Sequence, residues 1–228
     1  MADSRPPPFD VIILAGGRGA RLGGADKPGL VVGSSTMAAT AARAAVTAGA
    51  DRVILVGPAR PDVAAAAAAG AGRLIVTREE PPGAGPVPAL RAGFAEAAAP
   101  WVAVLAADLP FLGGDQVLSL LAAARGGTSA GAVIADESGA VQWLAGCWRT
   151  DRLGPALAAY PGSSLRGLLG PLRPALIRAA RTGDGPPPWL DCDTPGELAA
   201  ARGWLAAGAA LPRPAESGAA VPDSERTD

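Results

Sequence analysis

Residues 11–28 read VIILAGGRGARLGGADKP, and this stretch decides the fold. Its first four residues are a continuous apolar run, typical of a strand buried on both faces of a parallel sheet. The loop that follows holds five glycines, two arginines and Lys27, which is the single lysine of the chain. Open α/β sheets bind ligands at the carboxyl ends of their strands, and glycine-rich turns free backbone amides for phosphate oxygens. The alternative is a loop whose glycines only make turns.

Further apolar runs alternate with alanine-rich segments along the first half of the chain. We predict strands at 52–56, 73–76 and 101–105, and helices at 36–48, 61–69, 86–98 and 115–124. Asp115 is the expected N-cap of the fourth helix, and Gly49 and Gly70 are expected C-caps. This order predicts an α/β fold with a single doubly wound, mostly parallel sheet of Rossmann-like type.

The second half has a different pattern. Residues 130–136 and 141–148 flank Glu137-Ser138-Gly139-Ala140, which predicts a β-hairpin. Helices are expected at 151–160, 163–169 and 195–207, with a last strand at 174–179. We therefore predict one domain over residues 9–208, a disordered N-terminus over 1–8 and a disordered, polar tail over 209–228.

Composition excludes several classes of protein. The 228 residues carry a net charge of −1, which gives no indication of a large basic surface that would bind nucleic acid or membranes. There is no histidine, so catalytic triads with a histidine base and histidine metal sites are excluded. Two cysteines build no disulfide framework, and no uninterrupted apolar stretch reaches the ~20 residues of a membrane span. We expect a soluble, cytoplasmic protein.

Two common phosphate-binding loops do not fit. A Walker A loop needs Ser or Thr after its lysine, and Pro28 follows Lys27. The dinucleotide-binding fingerprint needs a third glycine where Leu22 stands.

The loop instead resembles the signature of nucleotidyltransferases with the nucleotide-diphospho-sugar transferase fold. In detail, LAGGxxxRLGxxDK at 14–27 resembles the molybdenum cofactor guanylyltransferase family. The resemblance resumes, in the family's order, at REEPPGAGP (78–86), ADLPF (107–111) and DCDTPGEL (191–198). It spans about residues 11–204. Relatives that use sugar phosphates, or CTP with the same pterin, more often place proline before the lysine.

The resemblance implies roles for individual residues. Lys27, Asp108 and Arg21 would be catalytic, and Asp108 would hold Mg²⁺. The nucleotide would contact Lys27, Glu80, Asp108 and the loop residues Leu14, Ala15, Gly16, Gly17 and Arg18. Taken by itself, Asp108 at a strand end is also a plausible turn former or helix cap.

Asp193 is the second metal ligand implied by the family, which often has asparagine there. In an extended segment Asp191 and Asp193 share one face and Cys192 the other. Thr194 before Pro195 is also a good helix cap, which Asp193 would assist.

The chain departs from the family pattern at two contacts. The family usually has aspartate where Glu80 stands, and a solvated charge run is an equally good interpretation. Ala59 replaces an asparagine that contacts the nucleotide in the family. On the acceptor side, QWLAGCWR (142–149) resembles a pocket strand whose exposed tryptophan would stack on a pterin, although at least one of its tryptophans is expected in the core.

The resemblance implies Mg²⁺-dependent transfer of GMP from GTP to the terminal phosphate of molybdopterin or its molybdenum-loaded form. The alternatives are the cytidylyl enzyme, another small-phosphate nucleotidyltransferase, or a non-catalytic nucleotide-binding maturation partner of a molybdoenzyme. A molybdoenzyme or cofactor-insertion protein is an expected partner. Nucleic acid and membranes are not expected partners.

Overall fold

A computed structural model describes residues 6–16, 24–70, 72–178 and 186–206 of the chain. Seven of its strands form one sheet: β1 (Phe9–Leu14), β4 (Arg52–Val56), β5 (Arg73–Thr77), β6 (Trp101–Ala106), β7 (Gly131–Ala135), β8 (Val141–Arg149) and β9 (Ala175–Arg178). Two short strands, β2 (Val31–Val32) and β3 (Ser35–Thr36), pair as a separate antiparallel ribbon. The helices are α1 (Met37–Thr47), α2 (Pro61–Ala68), α3 (Pro86–Ala95), α4 (Gly114–Arg125), α5 (Thr150–Ala159), α6 (Leu165–Leu169) and α7 (Pro195–Ala206).

The sheet order is β5-β4-β1-β6-β8-β7-β9. β8 pairs antiparallel with β6 and β7, and the other pairings are parallel. The prediction of a doubly wound, mostly parallel sheet is confirmed, and β7 and β8 form the predicted hairpin. Because β8 lies between β6 and β7, and β9 pairs with the other side of β7, both strands of the hairpin are interior strands of the sheet.

Alternate residues of β1 enter two separate core clusters. Phe9, Val11 and Ile13 pack into a first cluster with α1, α2 and α4, whereas Ile12 and Leu14 pack into a second cluster with α3, α5 and α6. All six β1 residues are buried: residues 11–14 as their continuous apolar run predicts, and Phe9 and the charged Asp10 with them. Helices therefore cover both faces of the sheet, which leaves the strand ends for a site.

Several predicted boundaries are wrong, each for a local reason. Helix α3 ends at Ala95 instead of residue 98, because the buried Asp10 carboxylate accepts the amides of Ala98 and Ala99 at 2.7 and 2.9 Å. Asp115 is not the N-cap of α4. Gly113 takes that position, and its amide donates to Gln116 Oε1 at 2.9 Å.

Helix ends elsewhere follow the expected chemistry more closely. Ala48 and Ala69 are the C-caps of α1 and α2, and the predicted Gly49 and Gly70 each follow one residue later. Helix α6 begins at Leu165, two residues after the predicted start, because Ser164 is its N-cap and accepts from the Gly167 amide. None of the helices in the described ranges is long and apolar enough to cross a membrane.

Candidate active site

A cleft of about 960 Å³ opens at the carboxyl ends of β1, β4 and β6. The strand order places β1 between β4 and β6, so the loops that follow these three strands converge there. The cleft lining includes predicted site residues from each half of the chain: Leu14, Ala15, Gly16, Lys27, Asp108 and Asp193. The sequence therefore predicts the location of this cleft.

The described start of the glycine-rich loop forms one wall. Ala15 donates its amide to Val56 O at 2.9 Å, and the Ala107 amide donates to Leu14 O at 3.1 Å, so the three strand ends are joined. Gly57 has φ +149°, and a Cβ there would lie 3.0 Å from Ala15 O, so this close approach requires glycine. The predicted contacts Gly17, Arg18 and Arg21 lie outside the described residues.

Lys27 is the first residue of a short 3-10 helix, Lys27–Gly29, that follows this loop in sequence. Its Nζ donates to Asp108 Oδ2 and to Asp193 Oδ1, and its side chain is 12% exposed. Burial lowers the pKa of Lys27, but the hydrogen bonds and charges of the two carboxylates outweigh burial and raise the pKa above its ordinary value. The lysine is therefore a fixed positive charge in the cleft.

The two aspartates reach Lys27 from different elements. Asp108 follows β6, and Asp193 lies just before α7, 166 residues from Lys27 in sequence. Residues 191–193 are not in a strand, yet they alternate as predicted, with Cys192 fully buried and its neighbours partly exposed. Burial, followed by the charges of Asp193 and Asp108, raises the pKa of Asp191. The described part of the site therefore places the Lys27 ammonium among several carboxylates.

Glu79 is a cleft residue that the sequence reasoning missed. Its side chain is buried, Oε1 accepts from the Gly83 amide at 2.9 Å, and Oε2 has no hydrogen-bond partner among the described residues. The predicted contact Glu80 is exposed and does not line the cleft. Adjacent side chains of an extended segment point to opposite sides. The sequence therefore predicts that one of the two glutamates faces the cleft, but it does not identify that residue.

The acceptor-side strand also differs from the prediction. Trp148 is fully buried in the second core cluster, as expected for one of the two tryptophans. Trp143 packs partly buried against the same cluster, and the cleft is lined by Leu144 instead. Neither tryptophan of β8 presents a ring to the cleft.

Such a site, with the start of a glycine-rich loop and Asp108 at strand ends, Lys27 between them and Asp193 before a helix, is typical of an α/β domain for nucleotide phosphates. The family model of the MobA-like NTP transferase domain matches residues 11–180. The chain belongs to that family.

Curated relatives agree with the family. A molybdenum cofactor guanylyltransferase of Pseudomonas putida is 35% identical over 133 residues, which cover 58% of this chain and 66% of that protein. The enzyme of the same name from Pseudomonas aeruginosa is 36% identical over 126 residues, 54% of this chain and 60% of that protein. The match thus covers less than two thirds of the length of these relatives, 66% of the first and 60% of the second.

Solved structures share the fold at low sequence identity. A nucleotidyl transferase from Methanothermobacter superposes with a TM-score of 0.68 at 18% identity, covering 88% of this chain and 99% of that one. Molybdopterin-guanine dinucleotide biosynthesis protein A from Archaeoglobus fulgidus gives a TM-score of 0.65 at 14% identity, covering 87% and 99%. A Mycobacterium tuberculosis protein, solved in complex with manganese, gives 0.61 at 23% identity, covering 87% and 99%.

Proposed function

We propose that the protein transfers GMP from GTP to the terminal phosphate of molybdopterin, or its molybdenum-loaded form, and releases pyrophosphate. The observation that carries this proposal is the placement of Lys27 between Asp108 and Asp193, beside the glycine-rich turn. The names of the Pseudomonas relatives support this choice among the reactions of the fold. The reaction is assigned from the site and these names, because the fold itself hosts several activities.

The proposed reaction needs no general base. A phosphate monoester has a second pKa of about 6, so the acceptor is already an anionic nucleophile at cellular pH. One of its oxygens bonds to the α-phosphorus of GTP, the bond between that phosphorus and the bridging oxygen breaks, and pyrophosphate leaves with the electron pair. The protein must hold two polyanions in line and offset the charge that develops on the leaving group. A chain without histidine suits this chemistry.

The proposed roles follow from position. Lys27 would hold a phosphate oxygen of the nucleotide and offset its charge. Leu14 and Ala15 would line the nucleotide pocket, since the Ala15 amide already donates to Val56 O. Gly16 and Gly17 would present backbone amides, and Arg18 and Arg21 would add positive charge; for Gly17, Arg18 and Arg21, which lie outside the described residues, these roles come from the family resemblance.

The two aspartate carboxylates support a divalent ion in the proposed reaction. Asp108 Oδ2 and Asp193 Oδ1 converge on one cation, the Lys27 ammonium, and carboxylate oxygens are the donors that Mg²⁺ prefers. Asp108 and Asp193 would therefore hold Mg²⁺, with nucleotide oxygens and water as further ligands. The ion would supply charge neutralisation on the phosphates.

Glu79 supports GTP over CTP. Its buried Oε2 has no partner in the described part of the chain and belongs to a residue of the cleft lining. Guanine offers adjacent N–H donors on its pairing edge, whereas cytosine offers one amino group beside acceptors. A carboxylate that accepts from guanine gains charge-assisted hydrogen bonds. We assign Glu79, instead of Glu80, as the base contact.

The deciding experiment measures pyrophosphate release from each nucleoside triphosphate with Mg²⁺ and molybdopterin. We expect turnover with GTP and at most slow turnover with CTP. A preference for CTP would move the protein to the cytidylyl branch, and turnover only with other phosphates would move it to a related transferase. GTP binding without pyrophosphate from any acceptor would identify a nucleotide-binding maturation partner.

The cellular setting follows the proposed reaction. Such a transferase would work in the cytoplasm and pass its product to a molybdoenzyme or a cofactor-insertion protein. The net charge of −1 gives no reason to expect nucleic acid or membrane as a partner.

A further inference from the structure

A small hydrophobic cluster, separate from the two cores of the sheet, lies next to the candidate active site. We call it the satellite cluster. Its buried members are Val32, Met37, Phe111, Cys192, Leu198 and Ala201, with Leu30, Leu190 and Leu205 packed partly buried against it.

Each of the three segments that carry Lys27, Asp108 and Asp193 also places an apolar residue in this cluster. Leu30 follows Lys27 by three positions, Phe111 follows Asp108 by three, and Cys192 directly precedes Asp193. The three segments are far apart in sequence. Among the contacts described above, they meet at two places, the satellite cluster and the ammonium of Lys27. The relative position of the three polar side chains therefore depends on how this cluster packs.

Helix α7 contributes the other side of the cluster and also holds the backbone of Asp193. Leu198 and Ala201 are buried in the cluster. Glu197 Oε2 accepts from the amides of Asp193 and Thr194, both at 2.8 Å, and the Glu197 amide donates to Thr194 Oγ1 at 3.2 Å. This is a reciprocal capping box, so the start of α7 and the backbone of Asp193 are one rigid unit.

A second contact fixes the far end of α7. Arg202 Nε donates to Val31 O at 2.9 Å, which joins the helix to strand β2. Strand β2 follows the turn that bears Lys27. Helix α7 thus contacts both the segment that bears Asp193 and the strand that follows Lys27.

We infer that α7 is the positioning element of the active site: Leu198 and Glu197 set the Asp193 carboxylate against Lys27. The helix and Asp193 both lie outside residues 11–180, the region that the family model matches. Leu198 and Glu197 act through Asp193, so they are positioning residues. The inference rests on the proposed function only for its kinetic test, which measures turnover.

The first test needs no turnover, because Lys27 is the single lysine. In the wild type its ammonium is mostly buried and held by two carboxylates, so an amine-acylating reagent reacts slowly with it. We expect Leu198→Ala to raise the rate of Lys27 acylation severalfold, measured by peptide mass spectrometry. The matched control is Leu157→Ala, a buried leucine of α5 in the second core cluster, which leaves the Lys27 rate unchanged in folded protein.

The second test uses kinetics. Leu198→Ala lowers kcat at saturating GTP and raises the Mg²⁺ concentration for half-maximal rate, and Leu198→Met restores both. In a double-mutant cycle, Leu198→Ala adds little to the loss already caused by Asp193→Ala, because both act on the same carboxylate. Glu197→Ala gives the same pattern without removing an apolar side chain, which covers the case in which Leu198→Ala does not fold.

Additive losses in the cycle would overturn the inference, as would equal Lys27 acylation in Leu198→Ala, Glu197→Ala and Leu157→Ala. Failure of the proposed function has a different signature. The wild type then releases no pyrophosphate from any triphosphate, while the acylation rates still decide whether α7 holds the Lys27 site.

Discussion

Arg60 donates a hydrogen bond from Nη2 to Oδ1 of Asp26, the residue directly before Lys27. The Arg60 side chain is nine-tenths buried, with 9% exposed, whereas that of Asp26 is 64% exposed. Gly29 leaves the space for this pair, since a Cβ there would lie 2.4 Å from Asp26 Oδ2 and 2.9 Å from Arg60 Nη1. Arg60, the residue directly before α2, thus holds the turn that carries Lys27.

We therefore expect Arg60→Met to lower kcat roughly tenfold, because a small displacement of a reacting or binding group has a large kinetic cost. The melting temperature should change little, since a partly exposed ion pair contributes only about 0–1 kcal/mol. Arg149→Met is the matched control, because it breaks the exposed pair of Arg149 with Asp151 away from the cleft. Unchanged kcat in Arg60→Met would contradict this role.

Lys27→Ala should abolish transfer while the fold remains intact. The substitution removes a charge-assisted contact to phosphate worth about 1.5–3 kcal/mol or more, which corresponds to a loss of roughly 10- to 100-fold or more in rate. Pyrophosphate release and circular dichroism should be measured together, with the exposed Arg43→Ala as control. Near-normal turnover in folded Lys27→Ala protein would show that the turn has only a structural role.

Asp108→Asn should reduce transfer far more than Asp193→Asn. If Asp108 is the principal Mg²⁺ ligand, a neutral amide there cannot replace the carboxylate against a hard cation. Asn at 193 still offers a carbonyl oxygen, and Asp193→Ala should fall between the two.

The measurement is turnover as a function of Mg²⁺ concentration for the three folded variants. Raised Mg²⁺ should partly rescue Asp193→Ala by mass action. Equal loss in Asp193→Asn and Asp108→Asn would reverse the ranking of the two ligands. Wild-type rates in both would place the metal elsewhere.

Glu79→Gln should weaken the preference for GTP over CTP by about tenfold or more, because a charged hydrogen bond to the base is lost and the amide presents donors as well as an acceptor. The ratio of kcat/KM for the two nucleotides measures this effect directly. Glu80→Gln is the matched control, since its side chain is exposed beside the same loop. An effect confined to Glu80→Gln would restore the sequence-based assignment.

Asp10→Ala should destabilise the protein by about 2–4 kcal/mol, because the amides of Ala98 and Ala99 lose their charged acceptor and the Ala99 bond is buried. For a domain of this size the melting temperature should fall by roughly 5–15 °C. Asp10→Asn should be milder, as its carbonyl still accepts. The exposed Asp115→Asn serves as reference, and an equal melting temperature in Asp10→Ala would refute the role of this carboxylate.

The sequence predicts most of the sheet because its signals are local. The apolar run of β1 shows that the strand is buried on both faces, and the glycine-rich turn that follows indicates which edge carries the site. The end of α3 was missed because it depends on Asp10, which is 88 residues away from Ala98 in sequence. Glu79 was missed because side-chain direction in an irregular segment is set by the loop's tertiary packing.

Strand β8 has a consequence for how the chain folds during synthesis. Strand β7 pairs with β8 and β9 but not with β6, so it has no place in the sheet when it first leaves the ribosome. A nascent chain that ends near residue 140 therefore carries Gly131–Ala135, five residues that are all buried in the finished protein, as an unpaired apolar strand. Until β8 is made and inserted beside β6, this apolar strand stays unpaired, and unpaired apolar strands favour aggregation.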